Sequence, residues 1–112
     1  MEKTFALPTQ NGMVCTHFGH CEKFTLIKTD GNDIIETVYL DPPAHQPGVY
    51  PRWLHEKGAD VIITGGMGYK AQELFNQNNI EVVLGVRPQK AADVVIEYLQ
   101  GKIKSKDNMC DH

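Results

Sequence analysis

Residues that can bind a soft or borderline metal are concentrated in one short stretch of the chain, residues 15–21. The sequence there reads Cys-Thr-His-Phe-Gly-His-Cys, so four of its seven residues carry a thiol or an imidazole. Two more such residues, Cys110 and His112, lie at the C-terminal end. Six of the eight Cys and His residues therefore fall within ten of the 112 positions, where an even distribution would place fewer than one. This clustering indicates coordination of a metal by thiolates and imidazoles.

We predict that His17, His20 and Cys21 are metal ligands. One turn of helix through this segment would place all three on the same side, because residues three and four positions apart share a helix face. Zinc takes four thiolate and imidazole ligands in structural sites, so Cys110 or His112 would complete the shell. The alternative interpretation is a His- and Cys-rich loop without a ligand, in which His17 or His20 bonds to backbone groups.

Three other residues of the segment, Cys15, Phe18 and Gly19, are expected beside the bound group rather than as its first ligands. Cys15 is the weaker candidate of the two thiols, because a single cysteine near the end of a strand is often a small buried hydrophobe. We therefore assign these three residues to a cofactor-binding set.

His45 is a further candidate ligand in a second loop. It lies within Pro-Pro-Ala-His-Gln-Pro-Gly, residues 42–48, whose prolines would hold it in place. A rigid loop is what a ligand-bearing residue needs. A solvent-exposed histidine in a proline-rich turn explains the same sequence equally well.

A glycine-rich turn, Gly-Gly-Met-Gly at residues 65–68, is also expected at the ligand site. It follows a buried apolar run and precedes a helical pattern, which is where phosphate-binding turns occur. Its spacing matches neither the dinucleotide pattern nor the P-loop pattern. We instead expect Gly65, Gly66, Met67 and Gly68 to bring backbone N–H groups close to an anionic ligand such as a sulfide-rich cluster. A tight strand-to-helix turn without a ligand is the alternative.

The remainder of the chain predicts one α/β domain with the element order β-β-β-α-β-α-β-α. The first strand is expected to end at Pro8, which cannot donate a ladder hydrogen bond. The last helix is expected to begin at Pro88, with Ala92 and Ile96 in its buried stripe. The predicted strands cover residues 3–7, 23–29, 34–40, 60–64 and 80–84, and the predicted helices cover 49–57, 69–77 and 88–99.

These elements would gather the candidate residues at one edge of the sheet. If the second strand runs against the other four, the C-terminal ends of those four share an edge, and open α/β sheets bind ligands there. The loops at that edge would be residues 9–21, 41–50, 65–69 and 85–88. They carry the Cys/His segment, His45 and the glycine turn.

The composition excludes several classes of function. The net charge of −3 argues against nucleic acid as a partner. No apolar run approaches the roughly 18 residues that a membrane span needs, and no signal peptide is recognisable, so we expect a cytoplasmic protein. The chain has three cysteines, and an odd number in such a protein favours metal binding or reactive thiols over a disulfide framework.

We expect a single domain over residues 1–104 and a C-terminal tail over residues 105–112. The tail would begin at the edge opposite the candidate site. The eleven residues from 102 to 112 span about 35 Å when extended, whereas a five-residue strand spans roughly 17 Å. Cys110 and His112 could therefore reach the site of the same chain, or that of a second protomer in a homodimer.

Several segments resemble the dinitrogenase iron–molybdenum cofactor biosynthesis family, which includes nitrogenase cofactor carriers and the molybdenum–copper orange protein. They are the first strand with its loop, Gly-Ala-Asp-Val-Ile-Ile at 58–63, the turn at 65–68, Asn-Ile-Glu-Val at 79–82 and Tyr-Leu-Gln-Gly at 98–101. The resemblance covers nearly the whole chain and implies a three-layer α/β/α domain with a ribonuclease-H-like mixed sheet of five strands. It also implies a prokaryotic source. Many members carry Arg where this chain has His17 and His20.

The leading hypothesis is a non-catalytic carrier or scaffold in metallocluster assembly, with zinc, an iron–sulfur cluster or a molybdenum-containing cluster as cargo. A protein that receives the cluster would be its partner. The first alternative is a small metal-dependent enzyme with an open coordination position and His45 as acid or base. The second is a regulatory module that binds another protein through the α/β domain.

Overall fold

The computed structural model describes residues 1–17, 21–44 and 48–103 of the chain. In these residues it contains one mixed sheet of six strands and three helices. The strands are β1 (Glu2–Gln10), β2 (Met13–Val14), β3 (Lys23–Asp30), β4 (Asp33–Leu40), β5 (Val61–Ile63) and β6 (Glu81–Val83). The helices are α1 (Val49–Glu56), α2 (Tyr69–Gln77) and α3 (Ala91–Leu99).

The strand directions confirm that one predicted strand runs against the other four. The main path of the sheet is β4-β3-β1-β5-β6, and β2 pairs with β1 off this path. Strand β3 is antiparallel to both β1 and β4, whereas β5 is parallel to both β1 and β6. The C-terminal ends of β1, β4, β5 and β6 therefore lie at the same edge of the sheet.

The two faces of the sheet are covered by different helices, which confirms the predicted three-layer α/β/α domain. Side chains alternate between the faces along each strand. Phe5 and Leu7 of β1 join the core cluster that includes Val94 and Val95 of α3. Ala6, between them, joins the opposite cluster, which contains residues of α1 and α2. No helix in the three described ranges is long and apolar enough to cross a bilayer.

Strand β1 does not end at Pro8 as the sequence predicted, but continues to Gln10. The Pro8 carbonyl accepts a hydrogen bond from the Cys15 N–H, on the side of β1 that faces away from β3. The N and the carbonyl oxygen of a strand residue point to the same side. The N–H that Pro8 lacks would therefore not have pointed towards β3, so the β1–β3 ladder loses no hydrogen bond and the strand tolerates the proline.

The sheet has six strands rather than the predicted five because the chain turns back sharply after β1. Thr9 and Gln10 pair with the two residues of β2. Asn11 and Gly12 form the turn with φ values of 54° and 79°. Positive φ at both positions is the type I′ hairpin geometry that Asn-Gly favours. This hairpin delivers the chain to the start of the Cys/His segment.

Helix α3 begins at Ala91 rather than at Pro88. The two residues before it are attached to β2 instead, because Lys90 forms a bridge with Met13 and the Gln89 carbonyl accepts a hydrogen bond from the Val14 N–H. The buried face of α3 also differs from the prediction. Val94 is fully buried, whereas Ala92 is exposed and Ile96 is 39% exposed. Helix α2 covers the predicted residues, and α1 ends one residue earlier than predicted.

Candidate functional site

Cys15 follows β2 directly, and its backbone is hydrogen-bonded on both sides. Its N–H donates to the Pro8 carbonyl at 2.8 Å. Its carbonyl accepts from the Gly65 N–H at 3.0 Å and from the Thr64 hydroxyl at 3.2 Å. The Gly65 carbonyl in turn accepts from the Gly85 N–H at 2.8 Å. The Cys/His segment, the glycine turn and the loop after β6 therefore meet at the C-terminal edge of the sheet, as predicted.

Cys21 lies just before β3 and is partly buried. It packs against the apolar cluster that contains Phe24 and Met67, on the α1 and α2 side of the sheet. The next residue, Glu22, donates its N–H to the Thr9 carbonyl at 3.0 Å. Both ends of the Cys/His segment are thus attached to the last residues of β1.

The two thiols lie on the same face of the sheet, on opposite sides of β1. Cys15 lies opposite Pro8 and so continues the pairing of β1 with β2. On its other side, Pro8 pairs with Phe24, which belongs to the apolar cluster against which Cys21 packs. Both cysteines are free thiols, and the charge of Cys15 acts on the Cys21 thiol, which indicates that the two thiols lie near each other.

Burial raises the pKa of both thiols and so favours their protonated forms in the ligand-free protein. Burial, followed by the nearby Cys15 charge, raises the pKa of Cys21 from 9.0 to about 11. Burial, followed by the Glu22 carboxylate, also raises the pKa of Cys15. The pKa of Tyr50 is raised by burial and by Cys21, which indicates that the phenol lies near this thiol. A bound cation would favour the thiolate forms that these surroundings disfavour.

A cavity of about 380 Å³ opens beside Cys15 and His17. Its volume is in the usual range of small-ligand pockets, roughly 300–1,000 Å³, and exceeds what one metal ion needs. None of the described residues that line it is a carboxylate, the ligand on which protein sites for hard cations such as Mg²⁺ and Ca²⁺ chiefly rely. The other described residues that line the cavity are Gln10, Asn11, Met13, Val14, Thr16 and Pro88.

The glycine turn is mostly buried and partly engaged within the protein. Gly65, Gly66 and Met67 are buried, and Gly68 is exposed at the start of α2. Because the Gly65 N–H donates to Cys15, that N–H is not available to a ligand as the sequence interpretation expected. Through this hydrogen bond the turn supports the backbone of the Cys/His segment.

Six of the predicted site residues belong to other parts of the chain. Phe18, Gly19, His20, His45, Cys110 and His112 lie outside the described residues. Within residues 1–17, 21–44 and 48–103, no three His, Cys, Asp or Glu side chains come close enough together to hold a metal ion. Cys15, His17 and Cys21 alone therefore do not form a complete ion site.

Sequence reasoning missed Thr64, whose hydroxyl contacts the backbone of the Cys/His segment. The predicted strand over residues 60–64 included it only as a terminal residue. A hydroxyl at the end of an apolar run, directly before two glycines, is the signal that could have found it. Its partner, the Cys15 carbonyl, belongs to a segment 49 residues away and could not be read from the sequence.

Comparison with known proteins identifies the family. Residues 1–101 match the model of the family described as "Dinitrogenase iron-molybdenum cofactor", so the chain belongs to this family. An uncharacterized protein of Methanocaldococcus jannaschii is 29% identical over 109 residues, which cover 88% of this chain and 87% of that protein.

Solved structures show the same fold. The crystal structure of PH0822 is similar with a TM-score of 0.85 and 28% identity, over 95% of this chain and 96% of that chain. The apo form of the orange protein from Desulfovibrio gigas is similar with a TM-score of 0.78 and 22% identity, over 95% of this chain and 94% of that chain. At that identity, the likeness to the orange protein shows the fold alone.

Proposed function

We propose that this protein is a carrier or scaffold for a metal ion or a metal–sulfur cluster, held at the C-terminal edge of the sheet by His17 and Cys21 with Cys15 beside them. The observation that carries the proposal is the pair of free thiols on one sheet face, flanking the end of β1. Membership of a family described by an iron–molybdenum cofactor supports a cargo of this kind.

The donor atoms favour a soft cargo. Thiolate and imidazole ligands suit zinc, copper(I) and iron–sulfur species better than hard cations. The cavity of about 380 Å³ next to Cys15 and His17 has room for a cluster as well as for a single ion. Because the described residues do not complete an ion site, we propose His20, His45, Cys110 and His112 as the additional ligands.

The exposure of the site suits a carrier. Cys15 and Cys21 are each only partly buried, and His17 is exposed, so a recipient protein could approach a bound cluster directly. An enzyme that excludes water from its substrate would bury such a group more deeply. We therefore favour transfer to a protein partner over catalysis as the role of the site.

Reconstitution without oxygen tests the proposal. The ligand-free protein is incubated either with Zn²⁺ or with Fe²⁺ and sulfide, and unbound reagent is removed before metal content and visible absorption are measured. We expect the wild-type protein to retain metal, the Cys21→Ser variant to retain at least tenfold less, and His55→Ala to match wild type because His55 is exposed on α1. Equal retention by wild type and Cys21→Ser, or none by either, would overturn the proposal.

Deletion of residues 105–112 separates the carrier from a protein-interaction module. If Cys110 and His112 are ligands, the shortened chain loses or alters its bound metal. A module that binds only a protein would keep the same metal content and lose the partner alone.

A further inference from the structure

We propose that Cys15 is a second thiolate ligand beside Cys21 and that Thr64 positions it, an inference that rests on the proposed function above. Thr64 follows β5 directly and is fully buried. Its hydroxyl donates to the Cys15 carbonyl at 3.2 Å, and the N–H of the next residue, Gly65, donates to the same oxygen at 3.0 Å. Two donors from adjacent residues thus fix the direction of one carbonyl.

The anchor that Thr64 provides is rigid because it belongs to the centre of the sheet. The Thr64 N–H donates to the Val83 carbonyl of β6 at 3.1 Å. Strand β5 itself pairs with β1 on one side and with β6 on the other. The Cys15 backbone is therefore attached to β1 through its own N–H and to the end of β5 through its carbonyl, and Thr64 connects that end of β5 to β6.

Holding the Cys15 N–H and carbonyl restricts its backbone and so sets the direction of the Cα–Cβ bond, which leaves the thiol only the staggered positions about χ1. Residues that orient a ligand without touching the bound group change metal affinity by roughly 10- to 100-fold when they are replaced. Valine at position 64 would keep the shape and β-branching of threonine and remove only the hydroxyl. The Cys15 carbonyl would still accept from Gly65, so no buried acceptor would be left without a partner.

The chain offers a matched control at the opposite end of the sheet. Thr29 is also fully buried, and its hydroxyl donates to the Lys3 carbonyl at the same distance, 3.2 Å. The Thr29→Val variant removes an equivalent hydrogen bond far from Cys15. Any general loss of stability should appear in both valine variants, whereas an effect on the ligand site should appear only in Thr64→Val.

The experiment compares wild type with Thr64→Val, Thr64→Ser and Thr29→Val. In the ligand-free protein, the rate of iodoacetamide modification of Cys15 relative to Cys21 is measured by peptide mass spectrometry. With Co²⁺ as the probe, affinity and thiolate-to-metal absorption are measured by titration. We expect Thr64→Val to raise the Cys15 to Cys21 ratio several-fold and to weaken Co²⁺ binding by roughly 10- to 100-fold.

Thr64→Ser should retain wild-type behaviour because it keeps the hydroxyl, and Thr29→Val should change neither readout. Thermal unfolding checks that each variant is folded, and Thr64→Ala replaces Thr64→Val if the latter is not. Identical results for Thr64→Val and Thr29→Val in both readouts would overturn the positioning role. If wild type binds Co²⁺ without thiolate-to-metal absorption, the proposed function fails. The role of Thr64 is then still decided by the ratio of the Cys15 and Cys21 modification rates, which is measured in the ligand-free protein.

Discussion

Raising the pH of the ligand-free protein should ionise Cys21 about two pH units later than an ordinary cysteine. Its pKa is raised from 9.0 to about 11. At pH 8 about one molecule in a thousand would then carry the Cys21 thiolate, compared with about one in ten for an unperturbed thiol. Because the thiolate is the nucleophile, we expect alkylation of Cys21 at pH 8 to be roughly a hundredfold slower than that of an exposed cysteine.

The causes of the shift make the prediction specific. Burial is the largest cause and the Cys15 charge the second, so Cys15→Ser should lower the pKa of Cys21 only part of the way towards 9.0. The assay is the pH dependence of iodoacetamide modification, followed for each cysteine by peptide mass spectrometry. A Cys21 midpoint at or below pH 9 would refute the reasoning, and so would a midpoint that Cys15→Ser leaves unchanged.

The same shift has a consequence for stability. The pKa of Cys21 is higher in the folded state than in the unfolded chain, so the stabilising contribution is complete below about pH 9 and is lost as the pH rises towards about 11. Solvent screening of this partly exposed thiol reduces the full linkage energy to about 1 kcal/mol. Urea unfolding at pH 8 and pH 11 should show this loss in wild type relative to Cys21→Ser, a comparison that cancels the titration of other groups.

Two further predictions concern the fold that supports the site. Phe75→Ala should lower the free energy of unfolding by about 3–5 kcal/mol, because Phe75 is fully buried. Tyr69→Ala should change it by less than about 0.5 kcal/mol, because Tyr69 is 72% exposed. Similar urea midpoints for the two variants would contradict the described core. Gly12→Ala should lower the free energy of unfolding by about 1–2 kcal/mol, because alanine is strained at the Gly12 φ of 79°. Steric contact would add nothing, since a Cβ at this position would meet no atom within 4 Å. Gly68→Ala, at a φ of −62°, should cost less than about 0.5 kcal/mol, and an equal loss in both glycine variants would rule out the type I′ turn.

The strand directions could be predicted from the sequence because the strands have distinct patterns. Continuous apolar runs indicated β5 and β6, and the Asp-Gly-Asn-Asp turn indicated the β3–β4 hairpin. Strand β2 could not be predicted, since two residues are too few to show alternation. The passage of β1 through Pro8 depends on which side of the strand its neighbour lies, and the start of α3 depends on hydrogen bonds between Gln89 and Val14. These are tertiary contacts that local patterns do not encode.

The location of the candidate residues was predictable, whereas the hydrogen bonds that support them were not. The element order and the rule for open α/β sheets predicted that the Cys/His segment lies at the C-terminal edge of the sheet, where the structure places Cys15. The chain of hydrogen bonds from Cys15 through Gly65 to Gly85 joins segments that are far apart in the sequence. The predicted helical turn through residues 17–21 stays a prediction, since residues 18–20 lie outside the described part of the chain.

The most direct test of the central claim is an elemental and absorbance analysis of the protein purified without oxygen, with and without the Cys21→Ser substitution. Zinc is colourless, whereas iron–sulfur and molybdenum-containing clusters absorb visible light, so the two measurements together identify the kind of cargo. We predict that the wild-type protein carries a metal ion or a metal–sulfur cluster and that Cys21→Ser carries markedly less. A protein that is free of metal in both forms would contradict the proposed carrier function.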